Sequence, residues 1–148
     1  MPTATIATLK ELIEVDEAGC QEFNDAATRL SHSGHPTLAA KFAEYSRQRA
    51  WFVSELCGLD PELQTHGHVQ QPTGGPLHRR WLAMKDAFTP HDARRVIDAA
   101  QREEDQALTA YSRALVADLP PVALSVIERQ YVAIRNAHDT VSSLRDQN

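Results

Sequence analysis

Apolar residues recur along this chain at intervals of three and four, the period of a helix packed on one side, and hardly anywhere in the alternation of a half-buried strand. The first run is Leu9, Ile13, Cys20, Phe23, Ala27 and Leu30. Thr8-Leu9-Lys10-Glu11 stands before it as a capping box, in which the Thr oxygen accepts from the N–H three residues on and the Glu reaches back. Ser31-His32-Ser33-Gly34 stops the run, because glycine tolerates the left-handed conformation of a helix end. Pro36 suits the first position of a second helix, which carries Leu38, Phe42, Tyr45, Phe52 and Leu56 up to Gly58. The pattern predicts helices over about 8–31 and 36–57.

Leu59 to Gly75 holds Pro61, Gly67, Pro72, Gly74 and Gly75 and reads as a loop. Pro76 opens a short amphipathic segment over about 76–88, with Leu77, Trp81, Met84 and Phe88 at helical spacing. Thr89-Pro90-His91-Asp92 is another helix start. Long helices follow over about 90–116 and 120–145, divided by Leu119-Pro120-Pro121. Two hairpins with short turns are thus joined by one long connection. Short turns make neighbours antiparallel, and a long connection can run the length of a bundle. The expected fold is all-α: a ferritin-like four-helix bundle over 1–148 as a single domain, with a long crossover between helices two and three and a short extra helix.

Composition narrows the functions. The 148 residues leave room for one domain with one core. A formal charge of -5 disfavours nucleic acid as a partner. Cys20 and Cys57 are too few for a disulfide scaffold, and their places on antiparallel helices make a bridge between them implausible. No basic stretch precedes an apolar run at the N-terminus, and no segment reaches the ~20 apolar residues of a membrane span. A cytoplasmic address is expected, with no transmembrane segment.

The candidate chemistry lies where charge interrupts an apolar seam. Asp16 interrupts the first helix and Arg49 the second. With the turn centred near Ser33-Gly34, position 16 faces about 51, so a buried or half-buried Asp16–Arg49 pair is predicted. An unpaired charge at either place would cost several kcal/mol, roughly. Glu104 interrupts the helix-three seam of Ala93, Ile97, Ala100, Tyr111 and Leu115. With the next turn near Asp118-Leu119, Glu104 faces about 133, so a hydrogen bond to Tyr131 is expected, with Gln130 close and His138 further along the same seam.

Inward carboxylates in a bundle also raise a di-metal reading. That chemistry uses a Glu from each of two helices and Glu-x-x-His from each of the others. Glu44 and Glu128 are present, but three residues on stand Arg47 and Tyr131 instead of histidines. Glu22, Glu44, Glu104 and Glu128 are the residues that would carry iron or another divalent metal in this alternative. Otherwise no cofactor is expected. His78-Arg79-Arg80-Trp81 is the one locally basic, aromatic stretch and the candidate partner contact. No nucleophile elbow, P-loop, dinucleotide fingerprint or Cys-x-x-Cys occurs, which weakens the corresponding enzyme classes.

Several pieces taken together carry a resemblance: Leu12-Ile13-Glu14-Val15, Glu44-Tyr45-Ser46-Arg47-Gln48-Arg49, Gly74-Gly75-Pro76-Leu77-His78-Arg79-Arg80-Trp81, Arg102-Glu103-Glu104-Asp105-Gln106-Ala107-Leu108, and Leu119-Pro120-Pro121 with Glu128-Arg129-Gln130-Tyr131. From about Leu9 to Arg145 the chain resembles a proteobacterial four-helix-bundle family of unknown function in the ferritin-like superfamily. The resemblance implies a ferritin-like bundle and no established activity. The expected role is non-enzymatic, through self-association into a homo-oligomer or through a protein partner. A divergent carboxylate metalloprotein is the alternative.

Overall fold

A computed structural model describes residues 1–66 and 93–147, and all its long elements are helices. They are α1 (Thr3–His32), α2 (Pro36–Cys57), a short 3-10 helix (Pro61–His66), α3 (Ala93–Leu115) and α4 (Pro121–Gln147). The expected segment 76–88, the Thr89-Pro90 start and the contact residues His78, Arg79, Arg80 and Trp81 lie outside the described residues.

α1 begins five residues before the expected capping box. Pro2 precedes it, the Ile6 N–H donates to the Pro2 carbonyl at 3.0 Å, and the Thr8 hydroxyl donates back to the Ala4 carbonyl at 3.1 Å. Thr8 is therefore an interior helix residue. The earlier start is reasonable physically, because it adds buried Thr5 and Ile6 to the apolar face. At the other end the glycine stop holds. Gly34 has φ 85°, and the His35 N–H reaches back to the Leu30 carbonyl at 2.8 Å, the bond that closes a left-handed helix end. Pro36 then opens α2 in its first turn.

Side-chain pairs set the directions. Asp16 meets Arg49 and Cys20 meets Ser46, so α1 and α2 run antiparallel. Glu11 meets Arg113 and Asp16 meets Tyr111, so α1 and α3 are also antiparallel. Gln101 meets Ser142 and Asp105 meets His138, which makes α3 and α4 antiparallel. It follows that α2 and α3 are parallel. Accordingly, Cys57 at the end of α2 packs in one apolar cluster and Ala93 at the start of α3 in another.

Those clusters occupy the two ends of the bundle. One gathers Ile6, Leu9, Leu12, Ile13, Phe52, Leu56 and Ile127. The other gathers Phe23, Leu30, Phe42, Val96, Ile97 and Val141, with Phe23, Phe42 and Tyr45 in mutual ring contact. α1 is the central helix, packed on both α2 and α3, and the α2–α4 seam is the thinnest of the four. Among the described residues no helix is long and apolar enough to cross a membrane.

Candidate functional site

Between the two apolar clusters lies a polar layer, drawn from all four helices. Asp16 on α1, Arg49 on α2, Glu104 on α3 and Gln130 on α4 are each at most 1% exposed. Arg49 is among the largest fully buried side chains described. Its Nη1 donates to Asp16 Oδ1 at 3.2 Å and its Nη2 to Glu104 Oε1 at 2.7 Å. The guanidinium also stands over the Phe23 ring, 5.8 Å from the centroid. One cation thus ties three helices together in a setting where an unpaired charge would be very unfavourable.

The rest of the layer extends from Asp16. The Tyr111 hydroxyl lies 2.6 Å from Asp16 Oδ2 and 2.7 Å from Gln130 Oε1. Gln130 Nε2 turns to the α2 side, 3.4 Å from the Phe52 carbonyl and 3.3 Å from Glu55 Oε1. Glu55 then reaches the surface, where Arg129 grips both its oxygens at 3.1 and 2.6 Å. A second acidic group sits beside the layer. Glu22 on α1 and Glu103 on α3 are neighbours whose carboxyls influence each other's ionisation.

Burial sets the protonation of these groups. It pushes Asp16 up to about 7, with Arg49 pulling the other way. It pushes Glu22 up to about 8, and the neighbouring Glu103 charge adds to the rise. Glu103 and Glu104 are raised by burial too, against the pull of Arg49. For Arg49 burial acts to lower the pKa, but Glu104 and Asp16 outweigh it and hold the charge. Tyr111 is raised by burial and by Asp16, so it stays a neutral phenol.

The expected site residues divide sharply by location. Asp16 and Arg49 are brought together on the inside, and Glu104 joins them. The expected Glu104–Tyr131 bond is replaced by Glu104–Arg49. Tyr131 is half-buried, and its oxygen accepts from Arg135 Nη1 at 3.4 Å. The register of α3 on α4 explains the difference. Asp105 pairs with His138 at 2.8 Å, so Glu104 stands nearer the level of His138 than of 131. The pairs Asp105–His138 and Gln101–Ser142 both centre the α3–α4 hairpin past the expected turn at Asp118-Leu119. Among the metal-alternative residues, Glu104 is buried and Glu22 half-buried, whereas Glu44 and Glu128 are exposed. Glu44 lies 3.7 Å from Lys41 on the surface. Among the described residues no three His, Cys, Asp or Glu are grouped to hold a metal ion. His138 is half-buried at the edge of the layer. Cys20 and Cys57 are free and buried.

Three members of the site were not anticipated in these roles. Tyr111 reads as an apolar seam residue, Gln130 only as a neighbour of Glu104, and Gly19 as nothing in particular. A Cβ added at Gly19 would stand 2.6 Å from Arg49 Nη1, so the guanidinium rests on bare α1 backbone. The available signal was a lone glycine in the middle of a strong helix pattern, which marks close approach by a neighbour.

Residues 4–117 match the family described as Domain of unknown function (DUF2383). That span covers nearly all of α1, all of α2 and α3, and three of the four buried residues of the polar layer, Asp16, Arg49 and Glu104. No curated protein matches this chain.

Proposed function

We propose that this chain, which belongs to the DUF2383 family, is a non-enzymatic cytoplasmic bundle that works by pairing with a second copy of itself. The reading includes a ferritin-like arrangement of the helices, supported by the parallel course of α2 and α3. The carrying observation is Trp51, 63% exposed on α2 beside the thin α2–α4 seam. The Glu55–Arg129 and Phe52–Gln130 contacts put Trp51 about level with Val132, which is 57% exposed on α4. Aromatic residues are enriched where protein interfaces have their energetic centres.

The surroundings favour a second copy as occupant. Arg47, Arg135 and Glu128 are exposed one turn from Trp51 or Val132, and Glu44 is exposed a further turn along α2. A face with both signs around an apolar centre is able to complement itself across a two-fold axis, the commonest symmetry of homo-oligomers. The interior argues against chemistry in the core. Arg49 is engaged by the inward Asp16 and Glu104 carboxyls, and its 1% exposure leaves a substrate no approach to it.

Sedimentation velocity over a concentration series tests this reading. The wild-type chain is expected to shift from monomer to dimer, and Trp51→Glu is expected to weaken the dimer at least about tenfold without unfolding the chain. A wild-type chain that stays monomeric at high concentration, or a Trp51→Glu dimer of unchanged strength, would overturn it.

A further inference from the structure

The polar layer contains a shortage of hydrogens. Tyr111 has one hydroxyl hydrogen and two close oxygen neighbours, Asp16 Oδ2 at 2.6 Å and Gln130 Oε1 at 2.7 Å. If Asp16 is ionised, both neighbours are acceptors and one contact has no hydrogen. Turning the Gln130 amide does not solve this. Its nitrogen faces two further acceptors, the Phe52 carbonyl and Glu55 Oε1, and a turned amide would set oxygen against both. Gln130 Oε1 therefore faces Tyr111 and takes the phenol hydrogen. The hydrogen for the Asp16–Tyr111 contact must then come from Asp16.

We infer that Asp16 is a neutral carboxylic acid in the folded chain, and that it begins a donor chain, Asp16 to Tyr111 to Gln130 to Glu55, which clamps α4 onto the core and loosens when Asp16 ionises. The charge balance agrees. Arg49 is closer to Glu104, at 2.7 Å, than to Asp16, at 3.2 Å, as expected for one ion pair and one bond to a neutral carbonyl oxygen. Burial acts in the same direction, because a second anion facing a single buried cation is strongly disfavoured.

On ionisation the phenol hydrogen is drawn to Asp16, and Tyr111 loses its bond to Gln130. That bond joins α3 to α4, and Gln130 in turn joins α4 to α2 across the thinnest seam. The charged and titratable groups facing Asp16 are Arg49 from α2 and Glu104 and Tyr111 from α3. From α4 the layer receives Gln130, which does not titrate, and at its edge His138, which acts on Glu104, while Glu17 and Cys20 neighbour Asp16 on α1 itself. The clamp stands independently of whether the chain dimerises.

The direct test is carbon NMR of the full-length protein labelled at aspartate carboxyls, titrated from pH 4 to 9. Exposed aspartates ionise near an ordinary pKa of ~3.9. One carboxyl is expected to remain protonated at pH 5.5 and to ionise near neutrality, and Tyr111→Phe is expected to shift that titration. The absence of any aspartate protonated at pH 5.5 would overturn the inference. Asp16→Asn supplies a second readout, since its amide N–H can only donate to Tyr111. The wild-type folding constant is expected to fall between pH 5.5 and 8.5 by about tenfold or more relative to that of Asp16→Asn. Equal falls in the two proteins would overturn the inference as well.

Discussion

The Arg49 guanidinium lies directly on the backbone of Gly19, so close that a Cβ at position 19 would meet Nη1 at 2.6 Å and Cζ at 3.2 Å. In an exposed helix, glycine to alanine stabilises by about 1 kcal/mol. Here the displaced group is held by the Asp16 and Glu104 carboxyls and cannot swing into solvent. Gly19→Ala is therefore expected to destabilise, by about 1–3 kcal/mol. Urea unfolding of the variant against wild type checks the sign as well as the size.

Arg49→Met would leave the Glu104 carboxylate sealed without an opposite charge and Asp16 Oδ1 without its donor. Removing one partner of a buried pair costs about 3–5 kcal/mol. The carboxyl pKa values, already raised with Arg49 present, would climb further without it. The folded state would then hold protons that the unfolded chain releases, so its stability falls as pH rises. The loss is expected to be larger at pH 8 than at pH 5 in paired unfolding curves. Adding Glu104→Gln to Arg49→Met is expected to recover part of it at pH 8, because one buried anion is gone.

Glu22 and Glu103 make a separate pH prediction. Burial and the Glu103 charge raise Glu22 from its ordinary 4.5 to about 8. A carboxyl raised on folding binds more protons in the folded state than in the unfolded one. Its contribution is undiminished below about pH 4.5, declines as pH rises, and levels off above about 8. Glu22→Gln is expected to flatten the fall in stability between pH 5 and 8 and to raise the urea midpoint at pH 8. An unchanged slope in unfolding curves taken at several pH values would show that the two carboxyls do not share a proton.

The parts of this structure legible in the sequence were those controlled by local rules. Gly34 and Pro36 mark their helix boundary because the left-handed turn and the missing N–H are local facts. Asp16 and Arg49 were legible as a pair because a short turn links their helices, so counting outward from Ser33-Gly34 sets the register. The same counting had no purchase on α1 against α3, since those helices are not joined by a short turn. Thus Glu104 completing the Arg49 clasp and Tyr111 reaching Asp16 were both out of reach. The Glu104–Tyr131 expectation failed because the α3–α4 hairpin is centred past Asp118-Leu119, which sets Glu104 near the level of His138, about two turns from Tyr131. Thr8 misled for another reason. A good capping sequence does not start a helix where burial of Thr5 and Ile6 rewards an earlier start.

The central claim, as proposed, is that Arg49 balances the ionised Glu104 carboxylate while Asp16 keeps its proton, so that the polar layer joins the helices without needing a metal ion. The measurement that tests this most directly is elemental analysis of tag-free protein after iron(II) addition in air and desalting, with an absorption scan. The account expects retained iron well below one atom per chain, and the same result for Glu104→Gln. About two irons per chain, the stoichiometry of a bundle carboxylate centre, lost on Glu104→Gln or Glu22→Gln, would contradict it.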